Sequence, residues 1–197
     1  YGIPEFRLPH AVLDQEVGII RSVGGEFRMR QRIGTDVSLA DLRRDFDAVF
    51  LAIGAQGSRG LDCAGEELAL PAVQFLADAS RHQAPPLGDD VVVIGGGNTA
   101  MDVARTAVRL GPRQVTVLYR RTRREMPCLM AEVEAAEAEG VKLETLIAPV
   151  GLKRTAGGTL VLTGQTHRLL AQRNFPLRCI RAVARCLDGT RSLPHRM

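Results

Sequence analysis

Apolar residues recur along this chain with two periods, and the periods sort it into helices and strands. Val12, Leu13, Val17 and Ile20 share one helical face, which predicts an amphipathic helix over residues 10–24, ended by Gly24-Gly25. A short strand is expected from Glu26 to Arg30. Ser38 reads as the N-cap of a brief helix, Leu39 to Arg44. The run Ala48-Val49-Phe50-Leu51-Ala52-Ile53 is apolar throughout and stops at Gly54, the pattern of a buried parallel strand. Residues 55–71 read as loop and residues 72–81 as a further helix. The segment Gln83 to Gly88 carries Pro85 and Pro86, which bar regular structure and mark an expected domain crossing.

Beyond it the pattern sharpens. Val91-Val92-Val93-Ile94 predicts a strand and Gly95-Gly96-Gly97 a turn. Asn98 to Leu110 predicts a helix with Ala100, Met101, Ala104, Ala107 and Val108 inward, closed by Gly111. A second strand follows at Val115 to Tyr119, a helix at Pro127 to Glu139, and a third strand at Val141 to Leu146. Strand, helix, strand, helix, strand is one half of a Rossmann-type α/β dinucleotide-binding fold. Val150 to Leu162 then reads as a hairpin turning at Gly157-Gly158.

Composition narrows the chemistry. The 197 residues suffice for one to two domains, and 45% hydrophobic with 24% charged is ordinary for a soluble globular chain. Trp is absent and Tyr occurs twice, which argues against a site of stacked aromatics. The densest apolar stretch, Val91 to Ile94, is far too short for a bilayer, so no membrane role is expected. The opening Tyr1-Gly2-Ile3-Pro4 shows no signal-peptide pattern and no initiator Met, so residues are expected upstream. Cys63, Cys128, Cys179 and Cys186 form no Cys-x-x-Cys pair, which disfavours zinc, iron–sulfur or dithiol sites. Scattered thiols suit a reducing cytoplasm. Residues 165–197 hold seven Arg against one acid, Asp188, more than the chain's net charge of +4. This tail lacks the aromatics of a single-strand binder, and a poorly ordered terminus is expected rather than nucleic-acid binding.

The glycine pattern carries the most chemistry. Gly95-x-Gly97-x-x-Ala100 follows a strand and opens a helix, the context a dinucleotide fingerprint requires. Gly95 permits the turn, Gly97 lets backbone approach a pyrophosphate, and Ala100 lets helix pack on strand. The helix start then turns free N–H groups and a positive dipole end toward phosphate. An NAD site places an acid near the end of the second strand to hold the ribose 2′-hydroxyl. Here the strand ends Tyr119-Arg120-Arg121-Thr122-Arg123-Arg124, with no acid before Glu125. Guanidinium groups suit a 2′-phosphate, so NADPH is expected, with Arg120 and Arg121 first and Arg124 next.

These residues resemble a known family. The run Val91 to Asp102, Tyr119-Arg120-Arg121, Glu125-Met126-Pro127, the opening Gly2 to Pro9, and Phe50 to Ala55 are similar to the small (beta) subunit of glutamate synthase. That subunit belongs to the pyridine nucleotide-disulphide oxidoreductase superfamily, and the amino-terminal half of dihydropyrimidine dehydrogenase is also similar. The resemblance covers about residues 1–162. It implies an FAD domain interrupted by an NADPH domain, with hydride passing from NADPH to FAD. Electrons would go on through iron–sulfur clusters to a large glutamate synthase-type subunit or another iron–sulfur acceptor. It places Arg7, Ile33, Ala52 and Gly54 near FAD, and Gly96, Gly97, Asn98, Thr99, Arg120 and Arg121 on NADPH. The expected division is 1–86 as part of an FAD domain, 87–164 as the NADPH domain, and 165–197 as an atypical basic tail. The family's FAD glycine motif would precede Tyr1, and its cysteine-rich region is absent, so the chain reads as a fragment or a truncated relative.

No catalytic side chain and no metal site is expected, because the cofactors carry hydride chemistry. His10, His82, His167 and His195 show no triad or ligand spacing. Cys128 reads as an inert cysteine at a helix start, and Glu132, Glu134, Glu137 and Glu139 as a solvated helix face. Three functions compete: an NADPH–FAD oxidoreductase segment, a non-catalytic NADPH-binding remnant, and a nucleic-acid binder acting through its tail.

Overall fold

The computed structural model describes residues 1–54, 57, 60–156, 159–166, 172–176 and 178–181. In chain order these hold α1 (His10–Ser22), α2 (Leu39–Asp45), β1 (Leu70–Pro71), α3 (Ala72–Ser80), β2 (Asp90–Ile94), α4 (Asn98–Arg109) and β3 (Gln114–Tyr119). Then follow α5 (Met130–Ala138), β4 (Lys142–Thr145), β5 (Ile147–Arg154), β6 (Leu160–Thr166), β7 (Gln172–Pro176) and β8 (Arg178–Arg181). The chain divides into two compact units. One is Leu8–Gln56, and the other joins Tyr1–Arg7 to Gly57–Met197. Residue 86, where a boundary is expected from sequence, falls inside the larger unit, because α3 packs its Ala72, Phe75 and Leu76 into the same core as β2 and α4.

The larger unit is layered about a parallel five-stranded sheet of order β1-β8-β2-β3-β4. Strand β2 is buried on both faces, which is why four consecutive apolar residues occupy it. Val91 and Val93 point to one side, where α3, α4 and α5 supply Phe75, Ala100, Met101, Val103, Ala104, Ala107 and Val133. Val92 and Ile94 point to the other, against Leu118, Ile147, Leu152, Leu160 and Leu162. These last four belong to a second, antiparallel sheet, β5-β6-β7. Phe75 is 2% exposed, and truncating such a ring to Ala typically costs about 3–5 kcal/mol.

Two expectations about single elements need correcting. The described part of the basic tail, residues 172–176 and 178–181, belongs to the sheets. β7 extends the antiparallel sheet, and β8 pairs in parallel with β1 on one side and β2 on the other. The helix expected from Pro127 begins at Met130, because Leu129 has extended backbone and serves as its N-cap, while the amides of Cys128 and Leu129 donate to Gly96 O and Asn98 Oδ1. α4 presents Ala100, Met101, Ala104, Ala107 and Val108 toward the core as expected, and buries Val103 as well. The hairpin over 150–162 is present as β5 and β6, while its turn at Gly157-Gly158 lies outside the described residues.

In the smaller unit Ser38 caps α2 as expected. Its Oγ accepts the Asp41 N–H at 3.0 Å, and Asp41 Oδ2 accepts the Ser38 N–H, a reciprocal box. Neither Glu26–Arg30 nor Ala48–Ile53 forms a strand. A strand exists only where a neighbour accepts its ladder of hydrogen bonds, and none does so among the described residues of this unit. Phe50 and Ile53 are accordingly 92% and 76% exposed, and no described residue of the unit is buried. No helix among the described residues is long and apolar enough to cross a membrane.

Candidate functional site

Strand β2 runs out at Ile94 into a turn without β-carbons. Gly95 takes φ of +147°, a conformation L side chains rarely adopt, while its N–H still donates to Leu118 O at 3.0 Å. Gly97 is extended and serves as N-cap of α4. The N–H groups of Ala100 and Met101 both donate to its carbonyl, at 2.9 and 3.3 Å. Helix geometry leaves the N–H groups of Asn98 and Thr99 without intrahelical partners, at the positive end of the dipole. Asn98 is exposed and Thr99 half-exposed, whereas Ala100 is wholly buried against the sheet. The turn thus sets the partnerless amides of the α4 start beside the surface, at exposed Asn98 and half-exposed Thr99.

Gly96 has a reason that its sequence pattern did not reveal. A β-carbon there would come within 2.5 Å of the Tyr119 ring. The register pairing Ile94 with Leu118 carries Tyr119 level with the turn, and the ring packs on bare backbone. The Tyr119 hydroxyl donates to Glu125 O at 2.7 Å, and burial pushes its pKa up, so it stays a donor.

The basic loop is sorted by its partners. Arg123 is committed to Glu137, with one contact at 2.7 Å. Glu125 is turned back on Thr122, accepting from its N–H and its hydroxyl, and that hydroxyl bond lowers the carboxyl's pKa. The acid nearest the strand end is therefore occupied. Arg120, Arg121 and Arg124 are exposed, and no ion pair is formed by them among the described residues. The loop then returns beneath the turn: Met126 and Cys128 are buried, and Cys128 N–H donates to Gly96 O at 3.2 Å. Burial raises the Cys128 pKa, which keeps the thiol protonated and unreactive at neutral pH.

The structure gathers Gly95, Gly96, Gly97, Asn98, Thr99 and Ala100 at one turn, with Arg120, Arg121 and Arg124 on the loop after the neighbouring strand. Ile33, Ala52 and Gly54 belong to the smaller unit. Ile33 bridges to Val37, and Gly54 has φ of +65°. Arg7 lies in the larger unit, with its guanidinium on Asp102 and Glu132. Of the glutamates expected on a solvated face, Glu134 is exposed, but Glu132, Glu137 and Glu139 are paired. Glu132 pairs with Arg7 and Arg105, Glu137 with Arg123, and Glu139 with Arg105 and Arg109. The hydrogen bond from Arg109, above all, draws the Glu139 pKa down to about 2.

A glycine turn at a helix start, a parallel sheet and exposed guanidinium groups after the second strand define a dinucleotide-binding α/β protein. The profile of the pyridine nucleotide-disulphide oxidoreductase family matches residues 22–175, and the chain belongs to that family. Within it the chain is 44% identical over 161 residues to the NADP(+)-dependent formate dehydrogenase subunit beta of Moorella thermoacetica. It is 42% identical over 153 residues to the NADPH-Fe(3+) oxidoreductase subunit beta of Geobacter sulfurreducens. To the glutamate synthase [NADPH] small chain of Escherichia coli it is 38% identical over 171 residues. These alignments take in 79%, 75% and 80% of this chain but only 23%, 23% and 36% of the relatives' own lengths. Among solved structures, the thioredoxin reductase of T. acidophilum superposes with a TM-score of 0.52 at 15% identity, over 65% of this chain and 41% of that one. A Kutzneria ornithine N-hydroxylase superposes with a TM-score of 0.53 at 14% identity, over 64% and 43%. At such identities the likeness shows the fold alone. The hydroxylase structure is named with reduced FAD and NADP+, and the glutamate synthase small chain is named for NADPH.

Proposed function

We propose that the chain forms the NADPH-binding part of a flavin-dependent oxidoreductase, in the manner of the glutamate synthase small chain. The observation that carries this reading is the pairing of a glycine turn that caps α4 with a strand-end loop whose one acid is committed to Thr122. The amides of Asn98 and Thr99 hold the pyrophosphate, and Gly95, Gly97 and Ala100 let backbone and helix come close enough to do so. Arg120 and Arg121, then Arg124, pair with the 2′-phosphate and select NADPH over NADH. When bound, NADPH supplies a hydride to FAD. Ile33, Ala52 and Gly54 of the smaller unit contribute to the FAD side. Electrons pass on to iron–sulfur clusters and a partner subunit, as suits a chain whose relatives are named as subunits. Titration of the full chain with NADPH and NADH tests the binding half. Tighter binding of NADPH is expected, and equal affinity for the two overturns the assignment of Arg120 and Arg121.

A second reading, NADPH binding without turnover by this chain alone, is favoured by the absence of any buried residue among those described in the smaller unit. A flavin pocket needs a packed wall. On this reading the isolated chain purifies colourless and does not oxidise NADPH with an artificial acceptor. A bound flavin absorbance band with turnover would rule it out.

A further inference from the structure

Residues 1–7 lie on the larger unit as a strap. Tyr1 places its ring 4.3 Å from the Arg81 guanidinium, and Pro4 is buried. The Phe6 ring sits against both Arg105 and Arg109 of α4, at 4.4 and 4.2 Å. Arg7 ends the strap and makes four hydrogen bonds. Its Nε and Nη2 donate to Asp102 Oδ1, the former at 2.9 Å. Its Nη1 and Nη2 donate to the two oxygens of Glu132, at 3.0 and 2.8 Å.

The partners of Arg7 have a particular place. Asp102 is four residues beyond Asn98 on α4, and Glu132 is three beyond Leu129 at the start of α5. Asn98 and Leu129 are themselves joined, since the Leu129 N–H donates to Asn98 Oδ1 at 3.1 Å. Residues three and four apart stack along one helix face. Arg7 therefore forms a second rung between the two helices, one turn above the Asn98–Leu129 rung. The side chains of Arg7, Asp102 and Glu132 are 30%, 13% and 18% exposed, so water screens them poorly. Arg105 also reaches Glu132, at 3.0 Å, but not Asp102 by a hydrogen bond or ion pair. Arg105 acts on Asp102 electrostatically, whereas Arg7 hydrogen-bonds both carboxylates. Without Arg7 this rung is lost, and α4 and α5 are less firmly joined at the ends where the glycine turn meets the loop 126–129.

We propose that Arg7 is a positioning residue for the pyridine nucleotide site: by bridging Asp102 and Glu132 it sets the spacing of α4 and α5 and so holds the Asn98 and Thr99 amides in register for pyrophosphate. The inference rests on the reading of the glycine turn as the NADPH seat. It gives Arg7 a role on the nucleotide side, beyond the flavin contact that the family resemblance implies.

Hydrogen exchange on the full chain, without ligand, reads the spacing directly. In Arg7→Gln the amides of Cys128 and Leu129, which donate to Gly96 O and Asn98 Oδ1, exchange faster, while Val92 and Val117 in the sheet keep their protection. Affinity reads the consequence. NADPH and NADH bind more weakly by the same factor, about tenfold, because the pyrophosphate seat is common to both. Arg7→Lys, which keeps the charge, recovers part of the loss. Arg113→Gln, which removes a surface pair with Asp90 at the opposite end of β2, leaves both readouts unchanged. Unchanged exchange at Cys128 and Leu129 overturns the inference. So does a protection loss spread evenly through the sheet, or an affinity loss confined to NADPH. If the unmodified chain binds neither nucleotide, the NADPH reading itself falls and the nucleotide role of Arg7 with it; the exchange result then still shows whether Arg7 sets the helix spacing.

Discussion

Gly96 lies against the ring of Tyr119, so closely that a β-carbon would come within 2.5 Å of two ring carbons. The ring cannot swing aside freely, because its hydroxyl is tied to the Glu125 carbonyl. Gly96→Ala must therefore displace the ring, the turn or the loop 122–126. Overpacking of this kind costs about 1–3 kcal/mol. Thermal unfolding should show that loss, and NADPH titration should show weakened binding. A variant as stable and as tight as the parent would mean that the turn yields more easily than its geometry implies.

Arg120 and Arg121 are exposed, whereas Arg123 is occupied by Glu137. Replacing both Arg120 and Arg121 with Ala should cost NADPH on the order of 2–4 kcal/mol of binding free energy, from two charge-assisted contacts. NADH, which has no 2′-phosphate, should be nearly unaffected. Calorimetric titrations of both nucleotides at one ionic strength would check the ratio. Arg123→Ala should instead leave the ratio alone.

Strand β8 lies between β1 and β2, so a chain ended after Thr166 loses the strand that joins them. The backbone of Val91 to Ile94 would forfeit its ladder on one side, and β1 its neighbour. Buried polar backbone without partners is costly, and parallel sheets are buried on both faces. We expect this truncation to unfold cooperatively at a much lower temperature, or not to fold, and to lose NADPH binding that added salt does not restore. Full retention of both stability and affinity would show that β8 is peripheral.

Acid should destabilise the larger unit through Glu139. Its carboxyl titrates near 2 in the fold, held by Arg109 and Arg105, against about 4.5 unperturbed. A depressed pKa contributes stability that is fully present above the unperturbed value and is lost as pH falls through the folded one. Glu132, lowered chiefly by its bond from Arg7, adds in the same direction. Asp102 opposes them, since burial raises its pKa and eases its protonation in the fold. Denaturant midpoints between pH 4.5 and 2 should therefore fall, and Glu139→Gln should flatten the slope in that window.

The sequence by itself determined whatever rests on local period and local turn chemistry. β2, β3, α3 and α4 stand close to where their apolar spacing put them, and Ser38 caps the helix its identity announces. The glycine turn and the Arg-bearing loop were legible because each is a short run whose meaning comes from its immediate flanks. Only the tertiary structure decided what depends on distant partners. Arg178 to Arg181 has no run of apolar residues to mark a strand, and becomes one because β1 and β2 leave a lane between them. Ala48 to Ile53 has the composition of a buried strand and stays extended coil, because no described strand of its unit pairs with it. Glu132 and Glu139 read as solvated until α4 brings Arg105 and Arg109 beside them and the strap brings Arg7. Gly96 owes its requirement to Tyr119, a residue more than twenty positions away that only the register of two parallel strands could place against it.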